Sequence, residues 1–297
     1  MNGKVCVITG GTDGIGKAAA YGLATRGARL LVHGRDPDKG ARAVAELKER
    51  SGNKSIEFLQ ADFGSLAQVR QLAAAIRERA PRVDVLLNNA GSIFVKRAVS
   101  EDGYEKTFAV NHLAPFLLTH LLLDALKASG QARVVTTASI AHRNAKIPFD
   151  DLQLTRRYSP MGAYGVSKLA NILFTRALAK RLQDTGVTAT CVHPGFVRTN
   201  FGANNTADIS PLFKAIFSLV SRFARKPEKG AETLIYLASS PEVEGVSGGY
   251  FFDCKPIRPT PAGEDDGVAE RLWQVSEQLV GIAGAASVTP AAAPRAG

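Results

Sequence analysis

Val5-Cys6-Val7-Ile8 runs into Thr9-Gly10-Gly11-Thr12-Asp13-Gly14-Ile15-Gly16, and a helical pattern begins at once. A short apolar run, a glycine turn and a helix make a strand–turn–helix unit. Glycines let the backbone turn sharply and come close to a pyrophosphate. The next helix then offers N–H groups and the positive end of its dipole. Gly10, Thr12, Asp13, Gly14, Ile15 and Gly16 are the candidates for that cradle. Their spacing is T-G-x-x-x-G-x-G rather than the G-x-G-x-x-G of the usual dinucleotide turn.

Outward from this turn, β-branched runs alternate with stretches of helical period. Strands are expected at 4–9, 29–33, 55–59, 83–87, 132–138, 187–193 and 249–252. Helices are expected at 14–26, 37–50, 66–79, 104–128, 163–183 and 227–238. Repeated strand–helix–strand units with right-handed crossovers imply an α/β fold, a single doubly wound Rossmann domain with a seven-stranded, mainly parallel sheet. It spans residues 1–282, and the Ala-rich stretch 283–297 reads as a disordered tail. Two connections interrupt the rhythm, 140–163 and 198–226. Long excursions after strand C-termini border the ligand crevice. The second carries Leu212, Phe213, Ile216, Phe217, Val220 and Phe223 at helical spacing. It is expected to be a substrate lid, with a membrane-surface helix or core packing as alternatives.

Composition narrows the class. Of 297 residues 45% are apolar and 22% charged, enough to bury a full core. The three cysteines are far apart and in no CxxC spacing, which argues against a disulfide framework and a thiolate zinc site. The five histidines show no ligand spacing, so no metal is expected. No apolar run approaches the ~18 residues of a membrane span. Met1-Asn2-Gly3-Lys4 leads straight into the first strand, without room for a secretory signal. The expectation is a soluble cytoplasmic protein. A net charge of +10 is scattered, with no nucleic-acid-binding signature, and reads as solubilising surface charge.

Later motifs extend the glycine turn into a resemblance. Asp62 follows the third strand, and Asn88-Asn89-Ala90-Gly91 follows the fourth. The fifth strand ends at Ser139, Tyr164-Gly165-Val166-Ser167-Lys168 is Y-x-x-x-K, and His193-Pro194-Gly195 precedes Val197 and Thr199. From about Val5 to Leu279 the chain resembles the short-chain dehydrogenase/reductase superfamily. The resemblance implies that Asp62 lies near the adenine ring, that Asn89, Ala90 and Gly91 border the dinucleotide, and that Pro194, Gly195, Val197 and Thr199 lie beside the nicotinamide. The 25-residue interval from Ser139 to Tyr164, the stretch Ser167–Phe174, Phe252-Asp253-Cys254 and Arg271-Leu272-Trp273 are similar to the retinol-dehydrogenase-like branch. Homodimers or homotetramers built through the helices of Asn111 and Tyr164 are common in the family.

The second strand ends in His33-Gly34-Arg35-Asp36. Family members that use NAD place an acid at the strand end for the ribose hydroxyls. Gly34 holds that position here, and Arg35 suits a 2′-phosphate through charge-assisted bonds. Lys17 and Lys39 add positive charge nearby. Asp36, about 20 residues past the glycines, also suits a ribose 2′-OH. The reading favours NADP(H) over NAD(H).

Tyr164 and Lys168 are four apart on an expected helix, so they share a face. Hydride transfer to a carbonyl builds negative charge on oxygen, and a tyrosine can protonate it, or take the proton from an alcohol in reverse. The ordinary phenol pKa of ~10 is high for a base at neutral pH, and an adjacent ammonium would lower it. Ser139 can hydrogen-bond the substrate oxygen. By resemblance Asn111 completes an Asn-Ser-Tyr-Lys tetrad. Taken singly, Ser139 could be a helix cap or turn residue, and Asn111 could cap or bend a helix. His142 and His193 read as wall or turn residues. The sequence thus reads as an NADP-dependent oxidoreductase interconverting an aldehyde or ketone and its alcohol, on an apolar or aromatic substrate. Reduction of a carbon–carbon double bond and a non-catalytic NADP-binding regulator are the alternatives. Peripheral membrane contact stays open, and nucleic acid is not expected as a partner.

Overall fold

A parallel strand buried on both faces needs an unbroken apolar run, and β1 (Val5–Ile8), β2 (Arg29–Gly34) and β4 (Val85–Asn88) supply one each, while β5 (Arg133–Thr137) follows Val134 and Val135 with the β-branched Thr136 and Thr137. The computed structural model describes residues 1–197 and 224–283. Its remaining strands are β3 (Ile56–Gln60), β6 (Thr188–Val192), β7 (Tyr250–Phe252) and β8 (Lys255–Ile257), and the order is β3-β2-β1-β4-β5-β6-β7-β8. Seven strands run parallel, and β8 closes the edge antiparallel to β7.

The sheet therefore has eight strands where seven were expected. β8 is three residues long and contains Pro256, which suits only an edge. The turn before it, Asp253-Cys254, has φ of 48° and 60°, and a two-residue hairpin turn needs such positive angles.

Neighbouring residues on each strand point to opposite faces. Cys6, Ile8, Leu30, Val32, Leu87 and Val192 pack under α1 (Gly14–Ala24) and α2 (Pro37–Ser51) together with the later helix 227–239. Val7, Leu31, Leu86, Val134 and Ala189 face α3 (Leu66–Arg79) and helices from the second half of the chain. Strand order reverses between β1 and β4, and this switch point opens a crevice at the strand C-termini.

The helix expected over 104–128 is broken. α4 (Lys106–Phe108) passes into a π-turn at Ala109–Leu113, then α5 (Ala114–Leu121) and α6 (Leu123–Lys127). Pro115 has no N–H for the carbonyl four residues back, at Asn111. The wider turn, with Ala114 N–H donating to the Ala109 carbonyl, absorbs that defect. α7 (Pro160–Arg181) begins three residues earlier than expected, because Ser159 caps it by accepting from Gly162 N–H at 3.1 Å and Pro160 suits the first turn. α8 (Pro227–Ser239) matches expectation. α9 (Pro261–Glu264) and α10 (Asp266–Leu279) were not foreseen as helices. Trp273 of α10 stacks on Phe174 of α7 with centroids 6.0 Å apart, and the Arg181 guanidinium lies 4.2 Å from its ring centroid. Of the lid expected at 198–226, residues 198–223 with the whole apolar stripe lie outside the described residues, and so does the expected tail 283–297 from 284 onward.

Candidate active site

The glycine turn is held from three sides. Gly10 has φ 65° and Gly14 φ 51°, angles that glycine adopts without strain. Asp13 caps α1 by accepting from Gly14 N–H at 2.7 Å. Asn89 Nδ2 donates to the Thr9 carbonyl at 3.0 Å, and Thr9 Oγ1 accepts from the N–H groups of Asn89 and Ala90, both at 3.0 Å. The C-termini of β1 and β4 are thus tied together beneath the crevice. A Cβ on Gly16 would press on the Gly10 carbonyl and come within 2.5 Å of Asn89 Nδ2, and one on Gly10 would lie 2.9 Å from Ala90 Cα. Ile15 packs towards Gly230 of α8, where Val197 also sits. A turn stripped of side chains at a helix N-terminus fits a dinucleotide pyrophosphate.

His33 went unremarked in the sequence as part of this site. Its ring is buried under the turn and stacks on Phe63 at 4.3 Å. Nδ1 accepts from Gly10 N–H at 3.4 Å, while Nε2 donates to the Ala61 carbonyl at 3.1 Å. Burial pushes its pKa down to about 4, so the ring is neutral at pH 7 and the tautomer is set by its partners. The signal was only one polar residue inside an otherwise apolar strand.

At the end of β2, Gly34 faces Thr12. A Cβ there would lie 2.7 Å from Thr12 Cγ2, so an acid cannot occupy the position without displacing that side chain. Asp36 caps α2 by accepting from Lys39 N–H at 2.9 Å, and this bond holds its carboxyl below the ordinary range. Lys39 Nζ pairs with Asp13 at 2.6 Å and Lys17 Nζ with Glu46 at 2.5 Å, so the positive charge expected from these two lysines is balanced by neighbouring carboxylates. Arg35 is exposed and has no carboxylate partner among the described residues. Asp62 follows β3, and its Oδ1 accepts from Gly64 N–H at 2.8 Å.

Tyr164, Lys168, Ser139 and Asn111 converge at the ends of β4 and β5. Gly165 allows this: a Cβ on it would come 2.8 Å from the Ala141 carbonyl, so α7 lies close against the 3₁₀ turn Ile140–Asn144. Ser139 caps that turn, accepting from Ala141 N–H at 3.2 Å, and its hydroxyl hydrogen-bonds with the Tyr164 hydroxyl. The bland role and the candidate functional role thus coexist in one residue. Lys168 is 2% exposed, and its Nζ lies 5.5 Å from the Tyr164 ring centroid and donates to the Thr137 carbonyl at 2.9 Å. Asn111 sits on the π-turn and spans Ser92 and α7. Its Oδ1 accepts from Ser92 N–H at 2.7 Å, and its Nδ2 donates to the Ser92 carbonyl at 2.9 Å and to Ser167 Oγ at 3.0 Å. A Cβ on Gly91 would lie 3.3 Å from both Asn111 Oδ1 and Lys168 Nζ.

Burial moves both members of the Tyr–Lys pair towards neutrality. The Tyr164 phenol is pushed up to about 12, partly opposed by the Ser139 hydrogen bond, and Lys168 is lowered to about 8. At pH 7 the phenol keeps its proton and can give it away. Lys168 stays mostly cationic, with hydrogen-bond capacity left beyond Thr137.

Pro194 and Gly195 follow β6, and Gly195 (φ 81°) lies against the Arg225 side chain. His193 Nδ1 accepts from Gly195 N–H at 3.2 Å, and its ring stacks on Phe252 at 4.3 Å. Burial holds its pKa at about 4, which makes it a wall of this turn. Val197 bridges to Arg225. Thr199 lies outside the described residues. A concavity of about 900 Å³ lies at the opposite end of the sheet, walled by Lys4, Asp84, Arg133 and Thr188, and contains none of these groups. The described residues include no cluster suited to a metal.

The short chain dehydrogenase family pattern matches residues 4–210. Human retinol dehydrogenase 14 is 44% identical over 95% of this chain and 88% of its own length, and human retinol dehydrogenase 12 is 44% identical over 95% and 88%. The chain belongs to the short-chain dehydrogenase family. Its relatives make it an oxidoreductase acting on CH–OH or C=O groups with NAD(P). Among solved structures, an uncharacterised protein of Mycobacterium paratuberculosis superposes on this dehydrogenase with a TM-score of 0.76 at 32% identity, covering 94% of each chain. RhlG of Pseudomonas aeruginosa, in complex with NADP, has a TM-score of 0.67 at 28% identity over 84% of this chain and 94% of its own. The described part of the dehydrogenase has no helix long and apolar enough to cross a membrane.

Proposed function

We propose that the chain is an NADP-dependent carbonyl reductase or alcohol dehydrogenase for apolar substrates. The observation that carries this reading is the convergence of Ser139 and Lys168 on the Tyr164 phenol at the switch point of the sheet. Bound dinucleotide supplies or accepts the hydride. Ser139 orients the substrate oxygen, and Tyr164 Oη gives that oxygen its proton in reduction or takes it in oxidation. Lys168, anchored on the Thr137 carbonyl, holds the dinucleotide ribose. Asn111 keeps the Ser92 loop and α7 in register with this centre.

Preference for NADP is supported by three side-chain states. Gly34 has no room for an acid, Asp36 is committed to a helix cap, and Arg35 is exposed and unpaired with any described carboxylate. An apolar substrate is supported by the exposed hydrophobics beside the site. Ile140 (49% exposed) follows Ser139, Met161 (62%) lies one turn before Tyr164, and Phe196 (51%) follows Gly195. Such exposed apolar groups near a crevice suit an apolar ligand. The relatives named as retinol dehydrogenases point the same way.

The test is oxidation of NADPH, with NADH in parallel, against aldehydes and ketones of graded size that include a long polyene aldehyde. Turnover favouring NADPH and rising with apolar size is expected. Binding of dinucleotide without turnover across the panel would refute the catalytic reading.

A further inference from the structure

Ser139 is held at its main chain as well as at its hydroxyl. The Ser139 carbonyl accepts from His142 Nδ1 at 2.7 Å and from His142 N–H at 3.2 Å. His142 is 2% exposed, and its Nε2 accepts from Thr260 N–H at 3.3 Å. An acceptor at Nε2 requires the proton to be on Nδ1, so both partners select the same neutral tautomer. The ring is clamped edge-on against Tyr250, with centroids 5.4 Å apart. Thr260, 118 residues away, precedes α9, so this imidazole ties the serine turn to the segment that follows β8.

We propose that His142 is a positioning residue for Ser139: its Nδ1–H fixes the Ser139 carbonyl, and so the direction of the hydroxyl that meets Tyr164 and the substrate oxygen. The inference rests on the reading of Ser139 given above. The Ser139 hydroxyl accepts from Ala141 N–H and hydrogen-bonds with the phenol, so a small rotation of the turn would break one bond or the other. His142 blocks that rotation from the carbonyl side. A serine used only as a cap would not need this second anchor.

The two nitrogens can be tested separately. Asparagine keeps an amide N–H near Nδ1 but has nothing at Nε2, whereas glutamine reaches Nε2 and lacks the donor at Nδ1. With the fastest aldehyde of the graded panel, H142Q should lower kcat roughly ten- to a hundredfold, as small misplacements of reacting groups do. H142N should recover to within about fivefold, and dinucleotide Kd, read by NADPH fluorescence, should stay within about twofold in both. In the S139A background, measured by its residual turnover, adding H142Q should cost less than about twofold, because the group it positions is already gone. Should H142Q not fold, a folded H142N with near-parental kcat is the required result. A folded H142N as slow as H142Q, or slow by itself, overturns the proposal. So does an H142Q penalty that persists in full on S139A. If S139A itself turns over like the parent protein, the reading of Ser139 fails. If S139A is slow and H142Q is not, only the inference about His142 fails.

Discussion

The Lys168 ammonium nitrogen lies 5.5 Å from the centre of the Tyr164 ring, on the next turn of the same helix, and is anchored on the carbonyl of Thr137 from strand β5. That anchor takes one of three donor directions and leaves the other two for the crevice. The pair stays close because α7 is buried almost all round, between the sheet and α10.

Replacing Tyr164 with Phe removes the proton donor and little else. Turnover should fall by roughly a thousandfold or more, within the range general acids supply or beyond it. NADPH affinity should change less than about twofold, since uniform binding is untouched. Steady-state kinetics and fluorescence titration on one preparation check both. Parental turnover in Tyr164→Phe refutes the assignment.

Lys168 gives a stability prediction with a definite sign. Its pKa is lowered from 10.5 to about 8 by burial, so between these values the unfolded chain holds a proton that the folded protein lacks. Stability therefore rises with pH over that window, and below pH 8 the burial penalty is present in full. Lys168→Met removes the penalty, and Asn171 Nδ2, at 3.1 Å, still satisfies the Thr137 carbonyl. The inactive, dinucleotide-free variant should melt at a higher temperature than the parent at pH 7, with the gain shrinking towards pH 10. A variant that melts lower at pH 7 contradicts this.

Arg35 is the group expected to tell the two dinucleotides apart. Arg35→Ala should raise the KM for NADPH roughly ten- to a hundredfold, the worth of one or two charge-assisted hydrogen bonds, and leave that for NADH nearly unchanged. Equal effects on both would assign Arg35 to the surface of α2.

Gly16→Ala asks whether the turn is the pyrophosphate cradle. The added methyl has no room between the Gly10 carbonyl and Asn89. Dinucleotide Kd should rise more than about tenfold, and the melting temperature should drop by several degrees, as for overpacking of about 1–3 kcal/mol. Unaltered binding in a folded variant would remove the cradle.

Asn111→Ala leaves Ser92 N–H and its carbonyl without their partner and frees the π-turn from α7. A loss of about 1–3 kcal/mol in stability is expected from the stranded polar groups. Urea unfolding measures it. Asn111→Asp should not rescue, because the amide donor to Ser167 Oγ is gone. A rescue would show that only the acceptor matters.

The doubly wound parallel sheet, the glycine turn after its first strand and the spacing of Tyr164 and Lys168 were readable in the chain, because apolar period and glycine placement act within a few residues of each other. β8, α9 and α10 were not. A three-residue edge strand with a proline has no period to detect, and α10 gains its reason to fold from Trp273 against Phe174 on α7, about a hundred residues earlier. The break at Asn111 was misread as continuous helix, since Pro115 within an apolar run does not by itself reveal a π-turn.

What the sequence alone determined, then, is the family of shapes and the set of chemical groups: a doubly wound sheet, a glycine turn and a Tyr–Lys pair one helical turn apart. Tertiary structure decided which groups are still available. It committed Lys39 to Asp13, tucked a neutral His33 beneath the glycine turn, and tied His142 to Thr260. Each of these depends on a partner brought close by the topology rather than by the local chain. A hydrogen bond or ion pair is a matter of a few tenths of an ångström, and residue order does not encode that until the sheet is assembled.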